Sequence, residues 1–310
     1  MIASERMVDK MGYSRWSDAA YESVSATRVQ LSSQEIFRGT RSIDPLMDPT
    51  ALGTGGVRES RDSEHHPTSV PIIVAFDVTA SMGDIPTRFA QEHLGSLMRM
   101  LVEQGDVPDP QVLFAAVGDA LVDQAPLQVG QFESGLEMDM WLTRLWLEGG
   151  GGDAPESYLL SHWFAAHHTA TDCWEQRNRK GYLFSIGDAA NKPLSAPQIQ
   201  RVFGYAPSQP VEDAGIIAAA AERWELFHLL VTRGRRVKGG VRRSWRRLMG
   251  ERMLLLDQTE AICTVIASLI GLSEGRLSAE AAQARLLAAG VRSDQAEAML
   301  SAPTARLPEG

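Results

Sequence analysis

Two cysteines in 310 residues cannot frame a disulfide-stapled fold. Cys173 and Cys263 both stand in apolar helical text, which suits packed thiols of a reducing compartment better than reactive groups. No apolar run approaches the ~20 residues needed to span a bilayer; the longest, around Ala214–Ala221 and Met253–Leu256, fall far short. The opening MIASERMVDKMGYSRW carries charges where a secretory signal keeps its apolar centre. No export signal and no membrane partner are therefore expected, and the chain reads as cytoplasmic. Neither a GxxxxGK[ST] phosphate loop nor a GxSxG nucleophile elbow occurs. No internal repeat is visible. His162, His167 and His168 share one predicted helix and His65–His66 lie far upstream, without the His-x-x-x-His spacing that zinc favours, so packed or surface histidines are the expectation.

What is present is ordinary globular text, 44% apolar and 22% charged, long enough for about two domains or one large α/β domain with extensions. The net charge of −9 is uneven. Residues 233–247 (RGRRVKGGVRRSWRR) hold eight basic side chains and no acid, leaving the rest of the chain with 22 basic against 39 acidic residues, a charge of −17. An acidic body with one basic segment and few interleaved aromatics makes nucleic acid an improbable partner and points to one local basic surface.

Residues 1–67 read as a partly irregular N-terminal extension, with a short helix around Arg15–Ala26. The glycines at 53, 55 and 56 lack the preceding strand that a dinucleotide loop requires. From 68 to 272 the text alternates between apolar strand runs and helical periodicity. The runs PIIVAF, QVLFAAVG, KGYLFSIG, WELFHLLVT and MLLL read as strands, and LQVG as a short edge strand. Helices are expected at about 84–104, 132–147, 154–168, 195–203, 211–223 and 259–272. This alternation predicts an α/β domain with a Rossmann-like, mainly parallel sheet flanked by helices on both faces. Residues 273–310 read as a short helical extension.

Ligands of such sheets bind beyond the carboxyl ends of the strands. There the sequence places Asp77-Val-Thr79-Ala-Ser81, the loop GGGGD ending at Asp153, and SIGD ending at Asp188. All the donor atoms are oxygens, the preference of a hard cation. Asp153-x-x-Glu156 with Pro155 between also fits a capping box, so Asp153 is either a ligand, a helix cap or both. No His or Glu has an identifiable place beside the cation, and DVTAS lacks the second Asp of a phosphoaspartyl motif.

D77-V-T79-A-S81 resembles the DxSxS signature of von Willebrand factor type A domains. GGGGDAPES and SIGD resemble that fold's second and third loops, and together the three resemble a metal-ion-dependent adhesion site (MIDAS). The resemblance covers residues 69–272. It implies that Thr79 and Ser81 coordinate Mg²⁺ (or Mn²⁺) directly and that Asp77 and Asp188 hold it largely through water. Where the family usually has a threonine, Asp153 stands. The resemblance further implies a metal-dependent protein-binding adaptor that engages an acidic residue of a protein partner, in the company of a MoxR-type AAA+ ATPase, and not an enzyme. The alternative is a metal-dependent hydrolase or phosphotransfer enzyme on the same cation. Arg233, Arg235 and Arg236 follow the fourth strand run and could rim the site; the competing reading is a solvated loop and the polar face of a helix anchored by Trp245.

Overall fold

A computed structural model of the chain describes residues 14–37, 41–79, 82, 84–104, 106–149 and 155–308. Its strands are β1 (Arg58–Ser60), β2 (Ser69–Asp77), β3 (Asp109–Val117), β4 (Leu127–Val129), β5 (Thr169–Thr171), β6 (Gly181–Gly187), β7 (Trp224–Val231) and β8 (Met253–Leu256). Six of them form one sheet in the order β4-β3-β2-β6-β7-β8, parallel except for the edge strand β4. The expected α/β class and mainly parallel sheet are borne out.

The longer helices are α1 (Asp18–Ser25), α2 (Asp84–Arg88, continuing through Phe89–His93 and Leu94–Met98 to Arg99–Glu103), α3 (Glu137–Thr143), α4 (Leu159–His167), α5 (Ala196–Phe203), α6 (Asp213–Arg223), α7 (Gly239–Met249), α8 (Ile262–Ser273), α9 (Ala279–Ala288) and α10 (Ser293–Ser301). They cover both faces because the strands are apolar on both. Ile72, Val74 and Phe76 of β2 face α2, α3 and α8, while Ile73 and Ala75 face α4 to α7. Helix α3 is shorter than the span read from sequence, and α4 begins at Leu159, five residues later than expected.

Packing fixes the strand end that matters. The Phe76 ring lies 4.7 Å from Phe89 of α2 and 5.8 Å from Phe114 of β3, all fully buried. Truncating such an aromatic costs about 3–5 kcal/mol, so the residue after it is held rigidly. Described residues of both extensions pack on this body. Tyr21 of α1 packs on Gly95, and Met47 is buried with its carbonyl accepting Val129 N–H at 2.9 Å. Strand β1 pairs in parallel with β5 in a second, two-stranded sheet. At the other end, Arg252 bonds the carbonyls of Pro303 and Ala305. Among the described residues no helix is long and apolar enough to cross a membrane.

Candidate metal centre

Chain order reverses between β2 and β6: from β2 the chain proceeds to β3 on one side and returns to β6 on the other. Crevices at such reversals are where open parallel sheets bind ligands. Asp77 ends β2 at this crevice and is fully buried. Its Oδ1 accepts the Thr79 backbone N–H at 2.9 Å and the Thr79 hydroxyl at 2.5 Å. Its Oδ2 accepts the Tyr158 hydroxyl at 2.5 Å. Burial pushes the Asp77 carboxyl up to about 6, against the pull of these three hydrogen bonds; the nearby Asp188 carboxylate adds to the rise.

Tyr158 was not found by sequence reasoning. Its hydroxyl also accepts Ala189 N–H at 3.2 Å, so one phenol joins the ends of β2 and β6. The approach requires Gly187 in SIGD, where an added Cβ would meet the Tyr158 ring and hydroxyl at 2.0–2.4 Å. That glycine was the one available signal, since a residue without Cβ at a buried strand end marks something close by. Behind the ring, His228 stacks on Trp245 of α7 at 3.4 Å, and Trp245 Nε1 donates to Ala189 O at 2.9 Å.

Glu156 corrects two expectations. It is not part of a capping box, because it precedes α4 and forms an isolated parallel bridge with Asn191. Its N–H donates to Ala190 O at 3.0 Å and its C=O accepts Lys192 N–H at 2.7 Å, which takes both backbone groups away from any helix. The bridge also brings a glutamate to the sheet edge that holds Asp77, where none was expected. Burial pushes its carboxyl up to about 8, with the Asp77, Asp119 and Asp123 carboxylates adding to the rise and Lys192 opposing it. Asp119, fully buried beyond β3, is ion-paired with Lys192.

Of the residues read from sequence, the structure brings Asp77 and Thr79 into contact and sets the half-buried Asp188 within electrostatic reach of Asp77. Ser81 and Asp153 lie outside the described residues. Among the described residues no three His, Cys, Asp or Glu side chains converge to hold a metal by themselves. The donor chemistry nevertheless fits a hard cation. Neither Asp77 nor Glu156 forms an ion pair with a described cationic side chain, and both are buried at one edge where like charges repel. Asp77's own oxygens are already occupied, which suits a role through water, while the Thr79 hydroxyl oxygen keeps a lone pair after donating.

The basic segment leaves β7 at the same edge. Arg233 (φ 50°) and Gly234 (φ 70°) make a tight left-handed turn, and the Arg233 guanidinium pairs with Asp84 at the start of α2. Arg235 and Arg236 are exposed on that turn. Beyond it the segment forms α7, anchored by the fully buried Trp245, with Arg242, Arg243 and Arg247 exposed. The histidines on α4 make no metal cluster. His162 is fully buried, with burial lowering its imidazole to about 4, and His168 bonds the Gly56 carbonyl and the Tyr205 hydroxyl. Both cysteines are buried and free.

No protein-family model and no curated protein matches the chain. Solved structures similar to it include the pilus adhesin SpaC from Lactobacillus rhamnosus GG, at 8% identity over 70% of this chain and 31% of the adhesin, with a TM-score of 0.44. Another is proximal thread matrix protein 1 from the mussel byssus with a zinc-occupied MIDAS motif, at 12% identity over 69% and 48%, with a TM-score of 0.40. A third is the conserved hypothetical protein BatB from Bacteroides thetaiotaomicron, at 13% identity over 66% and 98%, with a TM-score of 0.38. The matched segment spans about a third of the adhesin and half of the matrix protein.

Proposed function

We propose that the chain is a von Willebrand A-type binding protein that engages an acidic residue of a protein partner through Mg²⁺ or Mn²⁺ at the Asp77 crevice. The carrying observation is Asp77 itself. It is a fully buried carboxylate at the chain reversal, fixed from both sides by Thr79 and Tyr158 and left without an ion-pair partner among the described residues. When bound, the cation supplies an electrophilic centre for an incoming carboxylate. In this reading Thr79 and Ser81 offer hydroxyl oxygens, Asp77 and Asp188 offer charge through water, and Asp153 joins them.

The rim supports a protein partner. On the β3 side Leu121 and Val122 stand 61% and 55% exposed. On the β7 side lie Arg235 and Arg236. A partner with a central Asp or Glu, an apolar contact and further acidic surface fits both flanks. An AAA+ ATPase of the MoxR type is the partner class to try first. The test is binding kinetics on the purified pair. Chelation, or Ser81→Ala, should raise the dissociation rate, whereas charge reversal of Arg233, Arg235 and Arg236 should lower the association rate and flatten its salt dependence. Partner affinity indifferent to EDTA would falsify the metal-mediated contact.

One observation favours the second reading, a metal-dependent hydrolase. Glu156 is a buried carboxyl raised to about 8 at the cation edge, where a general base would stand. Phosphoester turnover that requires Mn²⁺ and disappears in Glu156→Gln would replace the adaptor reading.

A further inference from the structure

Glu156 is 3% exposed, and its Oε2 has no hydrogen-bond partner among the described residues. Leaving a carboxylate oxygen buried and unpaired costs more than leaving a neutral polar atom so. The side chain cannot readily withdraw, because its backbone is bonded to Ala190 and Lys192 and the next residue, Ser157, donates to Gly118 O at 3.2 Å. These contacts set Glu156 between the loops that leave β3 and β6. Tyr158, two residues on, donates to Asp77 Oδ2 at 2.5 Å, which ties this segment to the Asp77 crevice. Lys192, on the same bridge, is ion-paired with Asp119.

We propose that Glu156 closes the cation site on its second-loop side, with Oε2 accepting a hydrogen bond from a water molecule carried by Mg²⁺ or Mn²⁺. The proposal rests on the cation site argued above. It places Glu156 beyond the direct ligands, in keeping with the absence of a three-carboxylate chelate among the described residues. A glutamate in this position favours a hydrated, oxygen-seeking ion, because its hydrogen bond exists only if the ion keeps its water. It also explains why a fold would keep an unpaired acid at a buried edge already rich in carboxylates.

The experiment titrates the full chain with MnCl₂, reading free Mn²⁺ by electron paramagnetic resonance, beside the ion-induced shift in melting temperature. Wild type should bind one ion, Asp77→Ala none, and Glu156→Gln one ion about 10-fold or more weakly, with a correspondingly smaller thermal shift. Equal affinity in wild type and Glu156→Gln, with Asp77→Ala still silent, overturns the role of Glu156 and leaves the site standing. A wild-type chain that binds no Mn²⁺ overturns the site and this role together. If the Gln variant does not fold, Glu156→Asp keeps the charge but draws the carboxyl back by one methylene. Wild-type affinity in that variant also overturns the proposal.

Discussion

Replacing Tyr158 by Phe isolates one hydroxyl while keeping the ring that packs 5.3 Å from both His228 and Trp245. Two buried groups lose a partner: Asp77 Oδ2 at 2.5 Å and the Ala189 N–H at 3.2 Å. At pH 8 Asp77, with its carboxyl at about 6, is ionised. A hydrogen bond to a charged acceptor contributes about 1.5–3 kcal/mol and the amide bond about 1 kcal/mol, so the loss should be about 2.5–4 kcal/mol. At pH 5 Asp77 is protonated and the first bond falls to the neutral value of about 1 kcal/mol, leaving a total of about 2 kcal/mol. The difference between the two pH values, about 0.5–2 kcal/mol, is equivalent to a further rise of about 0.4–1.5 units in the Asp77 carboxyl of the variant. Urea unfolding of wild type and variant in EDTA at pH 5 and pH 8 measures both quantities. A loss equal at the two pH values would show that Tyr158 does not bond an ionised Asp77. A loss below about 0.5 kcal/mol at pH 8 would remove the bond altogether.

Other outcomes follow from the same edge. Asp77→Ala should abolish Mg²⁺ binding in calorimetry while leaving the far-UV circular dichroism native. Gly187→Ala forces the new methyl into Tyr158, so it should lower the melting temperature and weaken Mn²⁺ binding together; a variant changed in neither would remove the close approach. Asp153→Asn should weaken Mn²⁺ binding with little loss of stability in urea unfolding; unchanged affinity would remove Asp153 from the ligands. The folded-state values of Asp77 (about 6) and Glu156 (about 8) lie above the unfolded ones, so the stability they confer is full below about pH 4 and is lost as pH rises through 6 and 8. His162, lowered to about 4, acts in the opposite sense: its contribution is full above about 6.5 and is lost as pH falls toward 4. Above about pH 6.5 only Glu156 of these three still titrates, so in EDTA the melting temperature should fall between about pH 6.5 and 8, and Mg²⁺ should flatten that limb. A melting temperature that is level from pH 6 to 9 in EDTA would contradict this.

The sheet was legible because both of its faces are buried: PIIVAF is an unbroken apolar run, KGYLFSIG is interrupted only by Ser185 once past its Lys180, and no period-2 alternation confuses them. Asp77 and Thr79 were legible because they follow one such run directly. Tyr158 and Glu156 were not, since each is brought to the edge by a bridge to residues 189–192, more than thirty positions on. Glu156 in particular carries a local pattern, Asp-x-x-Glu after glycines, that fits a helix start equally well. The choice was made by Ala190 and Lys192, which occupy the backbone groups that a helix would need. Strands β1 and β5 were missed for a related reason: three residues each, they gain order only from pairing Arg58 with Thr169 across the chain.

That small two-stranded ladder sets how the molecule can be cut. A fragment beginning at residue 68 would keep every strand of the large sheet, yet it would strip β5 of its partner and leave Gln111 without the Ser60 hydroxyl at 2.7 Å and the Arg61 carbonyl at 3.0 Å that its amide now meets. Unpaired strand edges invite other chains to add to them. Such a fragment should self-associate on concentration. A start ahead of Asp18 should not, because it retains both the ladder and the Tyr21 contact on Gly95.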